Sequence, residues 1–367
     1  MAYPLLDRTV KFARYDPPAM RSAYLDGGRV VVGDVPDPVP AFGQVLVRVL
    51  ACGICGSDLH FVKYGRQMAA IGEEAPGQTS PLDFDRPIFM GHEFAGEVLE
   101  AGPDTAGPKP GTVVTSVPAM LTLSGPAQLA YSNDFPGGYS DRMLLSAPLL
   151  LEVPNGLDSE LAALTEPMAV GIHAVNRSRI EPGESAVVLG CGPVGLACIA
   201  ALRRRGVEVV VASDLSPARR RLAAVMGATD VVDPAEEPVV DAWRRVDGQR
   251  TLVVFEAVGV PGMLHAAMRD APQGSRILVV GVCMERDAIQ PFIGISKELN
   301  IQFALGYDPA EFAGSLRSIA EGEVDVAALI TGRVGVDGTP AAFEALANPD
   351  AHCKILVEPG VPDGDDL

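Results

Sequence analysis

Ala186-Val187-Val188-Leu189-Gly190-Cys191-Gly192-Pro193-Val194-Gly195 is a strand-like apolar run that ends in G-x-G-x-x-G and opens a helical period reaching Arg205. Three glycines at this spacing arise easily by chance. Their setting decides the reading: a strand before, a helix after, and Asp214 closing the next strand-like run, nineteen residues beyond Gly195. Glycines there let the backbone approach a pyrophosphate, and the N-terminus of the following helix meets its negative charge. Asp214 accepts ribose hydroxyls and repels a 2′-phosphate, which favours NAD over NADP. Arg219-Arg220-Arg221 is the counter-signal, because arginines so placed can pair with a phosphate. A solvated helix face accounts for two of the three.

Outward from this unit, strands alternate with helical periods. Strand-like runs lie at Val207 to Val211, Asp230 to Val232, Leu252 to Phe255, Arg276 to Val280 and Asn300 to Ala304, with a helix from Pro217 to Met226. That alternation means βαβ units and a parallel sheet. The N-terminal half has a different grain. It is rich in Gly and Pro, with short β-like runs such as Gln44 to Leu50 and Glu97 to Leu99, broken by turn signals such as Pro36-Asp37-Pro38 and Pro136-Gly137-Gly138. It reads as a mostly antiparallel β domain. After Gly306 come helices from Pro309 to Glu321 and Thr339 to Leu346, then a strand from Lys354 to Glu358. These are too few to stand alone. The expected class is α/β with a β-rich domain, divided as 1–167, 168–306 and a returning segment 307–367.

With 367 residues the chain has room for two domains. A net charge of -18 speaks against nucleic acid and against anionic membrane surfaces. No run of eighteen apolar residues suggests a membrane span, and MAYPLLDRTV lacks the apolar run of a signal peptide. The six scattered cysteines form no disulfide-like framework, so a reducing cytoplasm is expected. The acidic tail Pro362 to Asp366 is expected to fray.

A second constellation carries chemistry. Cys55-Gly56-Ser57-Asp58-Leu59-His60, then Gly91-His92-Glu93 and Glu166-Pro167, offer one thiolate, one imidazole and two carboxylates on separate segments. This mixture suits a catalytic Zn²⁺, which takes S, N and O donors and keeps one position open. Cys52-Gly53-Ile54-Cys55 is formally a C-x-x-C redox pair. It follows a strand-like run and leads straight into Ser-Asp-Leu-His, however, which fits a ligand better. The same Lewis acid that lowers a bound water's pKa to about 7 makes an alkoxide accessible at neutral pH, ready to give hydride to a nicotinamide.

Such ligands ahead of a dinucleotide unit, with Gly91-His92-Glu93-x-x-Gly96-x-Val98 between, resemble the zinc-dependent medium-chain alcohol dehydrogenases, from about Ala23 to Glu358. Ile54 to His60 and Glu166-Pro167-x-x-Val170-Gly171-Ile172-His173-Ala174 are most similar to the polyol (sorbitol-type) branch. The resemblance implies a GroES-like catalytic domain, a Rossmann cofactor domain and a cleft between them. It implies Cys55 and His92 as direct ligands, with Glu93 or Glu166 as the third. Ser57 would touch the substrate oxygen, His60 would finish a proton relay to solvent, and Asp58 would steady the site. Gly190, Gly192, Pro193 and Gly195 would cradle NAD, with Val194, Asp214 and Arg219 on its adenosine half and Val282 and Leu305 to Tyr307 by the nicotinamide. The implied substrate is a small alcohol or ketone, and the implied assembly a homodimer or homotetramer.

Three departures bear on those expectations. The family's structural-zinc lobe uses four closely spaced cysteines, and none lies between Cys55 and Cys191, so one catalytic zinc and no structural zinc is expected. The polyol branch carries Tyr after the relay His and Arg before the tyrosine near the cofactor, where this chain has Phe61 and Gly306. Two polar handles are missing, which points to a substrate less polar than a sugar alcohol. The run from Phe61 to Met90 is long, and Gly72-Glu73-Glu74-Ala75-Pro76-Gly77 suggests a loop over the cleft mouth, with Met68, Ile71, Leu82 and Phe84 as candidate apolar lining. A zinc-free enone or quinone reductase would lack the Cys/His/Glu set. A non-catalytic cofactor binder would have no use for Ser57 and His60.

Overall fold

The structure is a computed structural model that describes residues 19–74 and 82–361. Strands in the order Asp230–Val232, Val209–Ser213, Ser185–Leu189, Leu252–Glu256, Arg276–Val279 and Asn300–Phe303 form a six-stranded, wholly parallel sheet. Every residue of Ser185–Leu189 is buried, as expected of a strand covered by helices on both faces. The strand order turns about Ser185–Leu189, so the crevice for a ligand opens at its carboxyl end, where Gly190 lies. Gly190 takes φ +88°, and a Cβ at Gly195 would stand 1.9 Å from the Gly190 carbonyl oxygen. The tight strand-to-helix turn therefore needs both glycines.

The other half is built on a seven-stranded sheet. Its path runs Leu150–Glu152, Val113–Ser116, Glu93–Ala101, Gln44–Gly53, Lys354–Val357 and Ile330–Val334, with Arg142–Ser146 also paired to Gln44–Gly53. All of its pairings are antiparallel except the one between Ile330–Val334 and Lys354–Val357. The C-terminal strand thus enters the N-terminal sheet, with Leu356 opposite Gly53 and Val357 opposite Cys52. A smaller sheet in the order Arg29–Pro36, Ala19–Asp26, Ile88–Met90 and Tyr131–Ser132 lies beside it.

One apolar core runs through both halves, joining Ala51 and Ala95 to Leu196, Ala197 and Phe255. The helix Thr165–Ser178 packs so closely on Pro193–Arg204 that a Cβ at Gly171 would come 2.4 Å from the Ala197 carbonyl carbon.

Two expectations change. The strand placed at Val207 to Val211 is observed at Val209–Ser213, two residues on, because Val207 is still tied to the preceding helix through the Leu202 carbonyl. The supposed loop after Phe61 is a helix, Gly56–Glu74. Ala75 to Gly77 and the acidic tail lie outside the described residues. Met68, Leu82 and Phe84 pack against the core of the β-rich half, and Ile71 is exposed. The glycines and charges scattered from Gly65 to Glu74 hid a helical period whose inner face is carried by Phe61, Gly65 and Met68.

Candidate active site

The strand Gln44–Gly53 delivers Cys55 to the start of the helix Gly56–Glu74. Asp58 pins that junction: its Oδ2 accepts from the Cys55 amide at 3.1 Å and from the Tyr139 hydroxyl at 2.6 Å. The other carboxylate oxygen faces His92 Nδ1 at 3.5 Å, and neither atom has another partner. A carboxylate behind Nδ1 favours the proton there and leaves Nε2 as the ligating nitrogen. Burial opposes the charged imidazole, but Asp58 and Cys55 outweigh it and hold His92 well above its ordinary pKa.

Ligand atoms of Cys55, His92 and Glu93 lie within 4.8 Å of one another. Sulfur, imidazole nitrogen and carboxylate oxygen at that spacing are a donor set that zinc accepts, so the residues fit the ion. Glu93 is fully buried, and both of its oxygens take hydrogen bonds from Lys354 Nζ, at 2.8 and 2.6 Å. Glu166 stands in the first turn of Thr165–Ser178 with Tyr307 as a neighbour. Burial pushes its carboxyl up to about 7, against the pull of His92 and with a push from Glu93. Ser57 Oγ lies 3.5 Å from His92 Nε2 and accepts from the Tyr131 hydroxyl at 3.1 Å. His60, one turn further along the same helix, is half-buried, and burial with Lys63 nearby lowers its pKa.

The second centre is a cavity of about 670 Å³ at the carboxyl end of the parallel sheet, lined by Gly190, Gly192, Asp214, Ser216 and Arg219 among others. Gly192 caps the helix that Pro193 begins. Asp214 accepts from the Cys191 amide and the Ser216 amide, both at 2.8 Å, so it fixes the turn as well as facing the cavity. The three arginines separate. Arg220 is committed to the Asp214 and Leu215 carbonyls and to Asp233, while Arg221 is exposed. Arg219 reaches toward Gly192, and its buried Nε has no partner.

Two family models match the chain: the alcohol dehydrogenase GroES-like domain over residues 41–155 and the zinc-binding dehydrogenase domain over 193–321. The (R,R)-butanediol dehydrogenase of Bacillus subtilis strain 168 is 32% identical over 339 residues, 89% of this chain and 95% of the relative. The chain belongs to the zinc-dependent medium-chain alcohol dehydrogenases. Sorbitol dehydrogenase from the same organism is 28% identical, covering 94% of this chain and 98% of its own. A protein from Sinorhizobium meliloti 1021, solved as a zinc-binding dehydrogenase bound to NADP, superimposes with a TM-score of 0.79 at 28% identity, covering 93% of this chain and all of its own.

In this dehydrogenase the anticipated zinc residues Cys55, His92 and Glu93 converge, with Glu166 beside them through its charge on His92. Tyr307, expected near the nicotinamide, lies beside Glu166, whereas Val282 and Leu305 are exposed, at 40% and 80%. Glu256, Glu97 and Trp243 are structural. Glu256 accepts from the Val258 and Gly259 amides, Glu97 pairs with Arg48, and Trp243 Nε1 donates to Ser185. Lys354, Tyr131 and Tyr139 escaped the sequence reading, since they reach the site from strands and turns 74 to 261 residues away from their partners.

Proposed function

We propose that this dehydrogenase transfers a hydride between NAD(H) and a small secondary alcohol or ketone at one zinc per chain. The convergence of Cys55, His92 and Glu93 beside Ser57 is the observation that carries this reading. Cys55 and His92 hold the metal, with Glu93 or Glu166 as the third protein ligand. Zinc held there would supply Lewis acidity to the substrate oxygen, and a bound nicotinamide would supply the hydride acceptor or donor. Ser57 receives the hydroxyl proton, and His60 passes it to solvent. Asp58 keeps the His92 ring in place from behind. Gly190 to Gly195 would admit the pyrophosphate, and Asp214 with Arg219, whose Nε is unpartnered, would hold the adenosine half and favour NAD.

The catalytic unit is assigned to 1–167 with 307–367 returning to it, and the cofactor unit to 168–306; the pairing of Lys354–Val357 with Gln44–Gly53 supports the return. A homodimer or homotetramer is favoured by apolar exposure at one end of the parallel sheet. Phe303 and Leu305 are 66% and 80% exposed on and just past the edge strand, and Phe292 and Ile295 are exposed on the helix before it. Six free cysteines, and no helix long and apolar enough to cross a membrane among the described residues, favour the cytoplasm.

For the substrate, Phe61 is buried between aromatic rings and Gly306 brings no side chain, which favours a body less polar than a sugar alcohol. Each unpaired substrate hydroxyl would cost about 1–3 kcal/mol. The second reading is a polyol dehydrogenase, favoured by the sorbitol dehydrogenase relative. Turnover of a panel of secondary alcohols, ketones, sorbitol and xylitol with NAD(H), followed by absorbance, separates them. Higher kcat/KM for the compact alcohols is expected. A clear preference for sorbitol or xylitol returns the chain to the polyol reading, and no turnover of any member defeats both.

A further inference from the structure

The cavity at the carboxyl end of the parallel sheet is not lined by the cofactor unit alone. Pro349 and Asp350 reach its wall, while every other lining residue falls between Val187 and Asp270. Both sit in the exposed turn that joins the helix Thr339–Ala345 to the strand Lys354–Val357. Backbone bonds from the Ala351 and His352 amides to the Asn348 carbonyl, at 3.2 and 3.4 Å, hold the turn, and the Asp350 amide donates to Asn348 Oδ1 at 3.1 Å. Ser216 docks it: its Oγ accepts from the Arg219 amide at 3.3 Å and donates to the Pro349 carbonyl at 3.4 Å. One hydroxyl thus joins the residue before Asp350 to the first turn of the helix Pro217–Val225, which carries Arg219. None of these bonds uses the Asp350 carboxylate, which has no partner among the described residues.

Charge is divided unevenly over this wall. Asp214 accepts from the Cys191 amide with one oxygen and from the Ser216 amide with the other, so two donors already offset its charge. Among the nearby guanidiniums, Arg269 is paired with Asp270 and Arg220 is committed to two carbonyls and Asp233, whereas Arg219 keeps an unpartnered Nε. A phosphate monoester on the adenosine ribose, carrying about −1.5 to −2 charge near pH 7, would be drawn to Arg219. We propose that Asp350 is a second specificity-determining residue for the cofactor. Its carboxylate, brought to the cavity by the C-terminal segment, offsets Arg219 and repels a 2′-phosphate. The inference rests on the nicotinamide-cofactor reading of the same cavity. It deepens that reading, because a carboxylate free of backbone donors supplies repulsion that the amide-bonded Asp214 does not supply alone. The turn is exposed, so the repulsion is screened by salt, and that dependence separates a charge effect from a structural one.

The test measures calorimetric binding of 5′-AMP and of adenosine 2′,5′-bisphosphate to the full-length, zinc-loaded protein. These probes differ only in the 2′-phosphate and need neither substrate nor turnover. Wild type is expected to bind 5′-AMP more tightly. Asp350→Asn is expected to tighten the bisphosphate by about threefold, the scale of one exposed charge pair, with 5′-AMP held within about twofold. Asp350→Lys, which reverses the charge, should tighten the bisphosphate by about tenfold, and both gains should shrink at high ionic strength. Thermal midpoints near that of wild type are expected, since the turn's own bonds do not use the side chain. Bisphosphate binding unchanged by Asp350→Asn overturns the proposal, even if Asp350→Lys alters it. Equal changes for the two probes, or gains that ignore salt, assign Asp350 to the shape of the turn and overturn it as well. If wild type prefers 5′-AMP and neither variant moves that preference, the proposal fails while the NAD reading stands on Asp214. If wild type prefers the bisphosphate and Asp350→Asn tightens it further, the role of Asp350 stands and the NAD reading fails. Binding of neither probe overturns the proposal.

Discussion

Lys354 and Glu93 form an ion pair with 1% and 0% exposure, 261 residues apart in sequence, in which one ammonium serves both carboxylate oxygens and the Ile54 carbonyl. The pair joins the last strand of the chain to the strand that starts at Glu93 and to the residue before Cys55. A Cβ at Gly53 would come 2.1 Å from the Glu93 oxygen, so the sheet leaves room for this carboxylate by having glycine there. Burial works against the Lys354 charge, but Glu93 more than reverses that and raises its pKa, so the lysine stays protonated.

Removing one partner of such a pair leaves a buried charge uncompensated, which costs about 3–5 kcal/mol. Lys354→Met is therefore expected to lose stability on that scale in urea unfolding of the metal-free protein. Lys354→Met combined with Glu93→Gln should recover a large part of the loss, because no net buried charge remains. Equal losses in the single and double variants would show that the pair contributes packing rather than charge compensation.

Cys55→Ala is expected to abolish turnover and to lower zinc from about one per chain to near zero while circular dichroism stays unchanged. The Asp58 contacts to the Tyr139 hydroxyl and the position 55 amide do not use the sulfur, so the junction should persist. Two tightly held zinc ions per wild-type chain by elemental analysis would contradict this stoichiometry.

The parallel sheet is legible because its central strands Ser185–Leu189 and Leu252–Glu256 are fully buried and its helices periodic, so local sequence and tertiary environment agree. The metal ligands were legible because Cys55 to His60 and His92-Glu93 sit on short contiguous segments. What stayed hidden is contributed across the fold. Tyr131, Tyr139 and Lys354 are ordinary strand or turn residues until pairing brings them to Ser57, Asp58 and Glu93. The part of the helix Gly56–Glu74 beyond Phe61 reads as a loop because its polar outer face and its glycines mask a narrow apolar inner stripe.

Asp214→Ser is expected to narrow the preference for NAD over NADP by at least about tenfold, equivalent to about 1.4 kcal/mol, in kcat/KM measured with both cofactors. The carboxylate also holds the Cys191 and Ser216 amides, so the efficiency with NAD itself should fall as well. Arg219, whose Nη1 lies near Gly192 and whose Nε has no partner, remains to meet a phosphate in the variant. Wild-type efficiency higher with NADP than with NAD would refute the assignment of Asp214.

His60 gives the pH prediction its sign. Burial, followed by the positive charge of Lys63, lowers its pKa below the ordinary histidine value of 6.5. The imidazole is then neutral above that lowered value and able to take the proton that leaves the substrate oxygen through Ser57 and the cofactor ribose. As the pH falls through the lowered value the ring becomes charged and can no longer accept, so alcohol oxidation should decline on the acid side. His60→Asn removes the titrating group. It is expected to cut kcat for oxidation by about tenfold or more, within the usual range for a proton-transfer residue, with little change in KM. The acid limb attributable to the imidazole should disappear, and small buffer bases such as imidazole should restore part of the rate. Wild-type kcat that is flat through the acid range, or a His60→Asn profile identical in shape to the wild type, would remove His60 from the proton path and leave Ser57 to deliver its proton by another route.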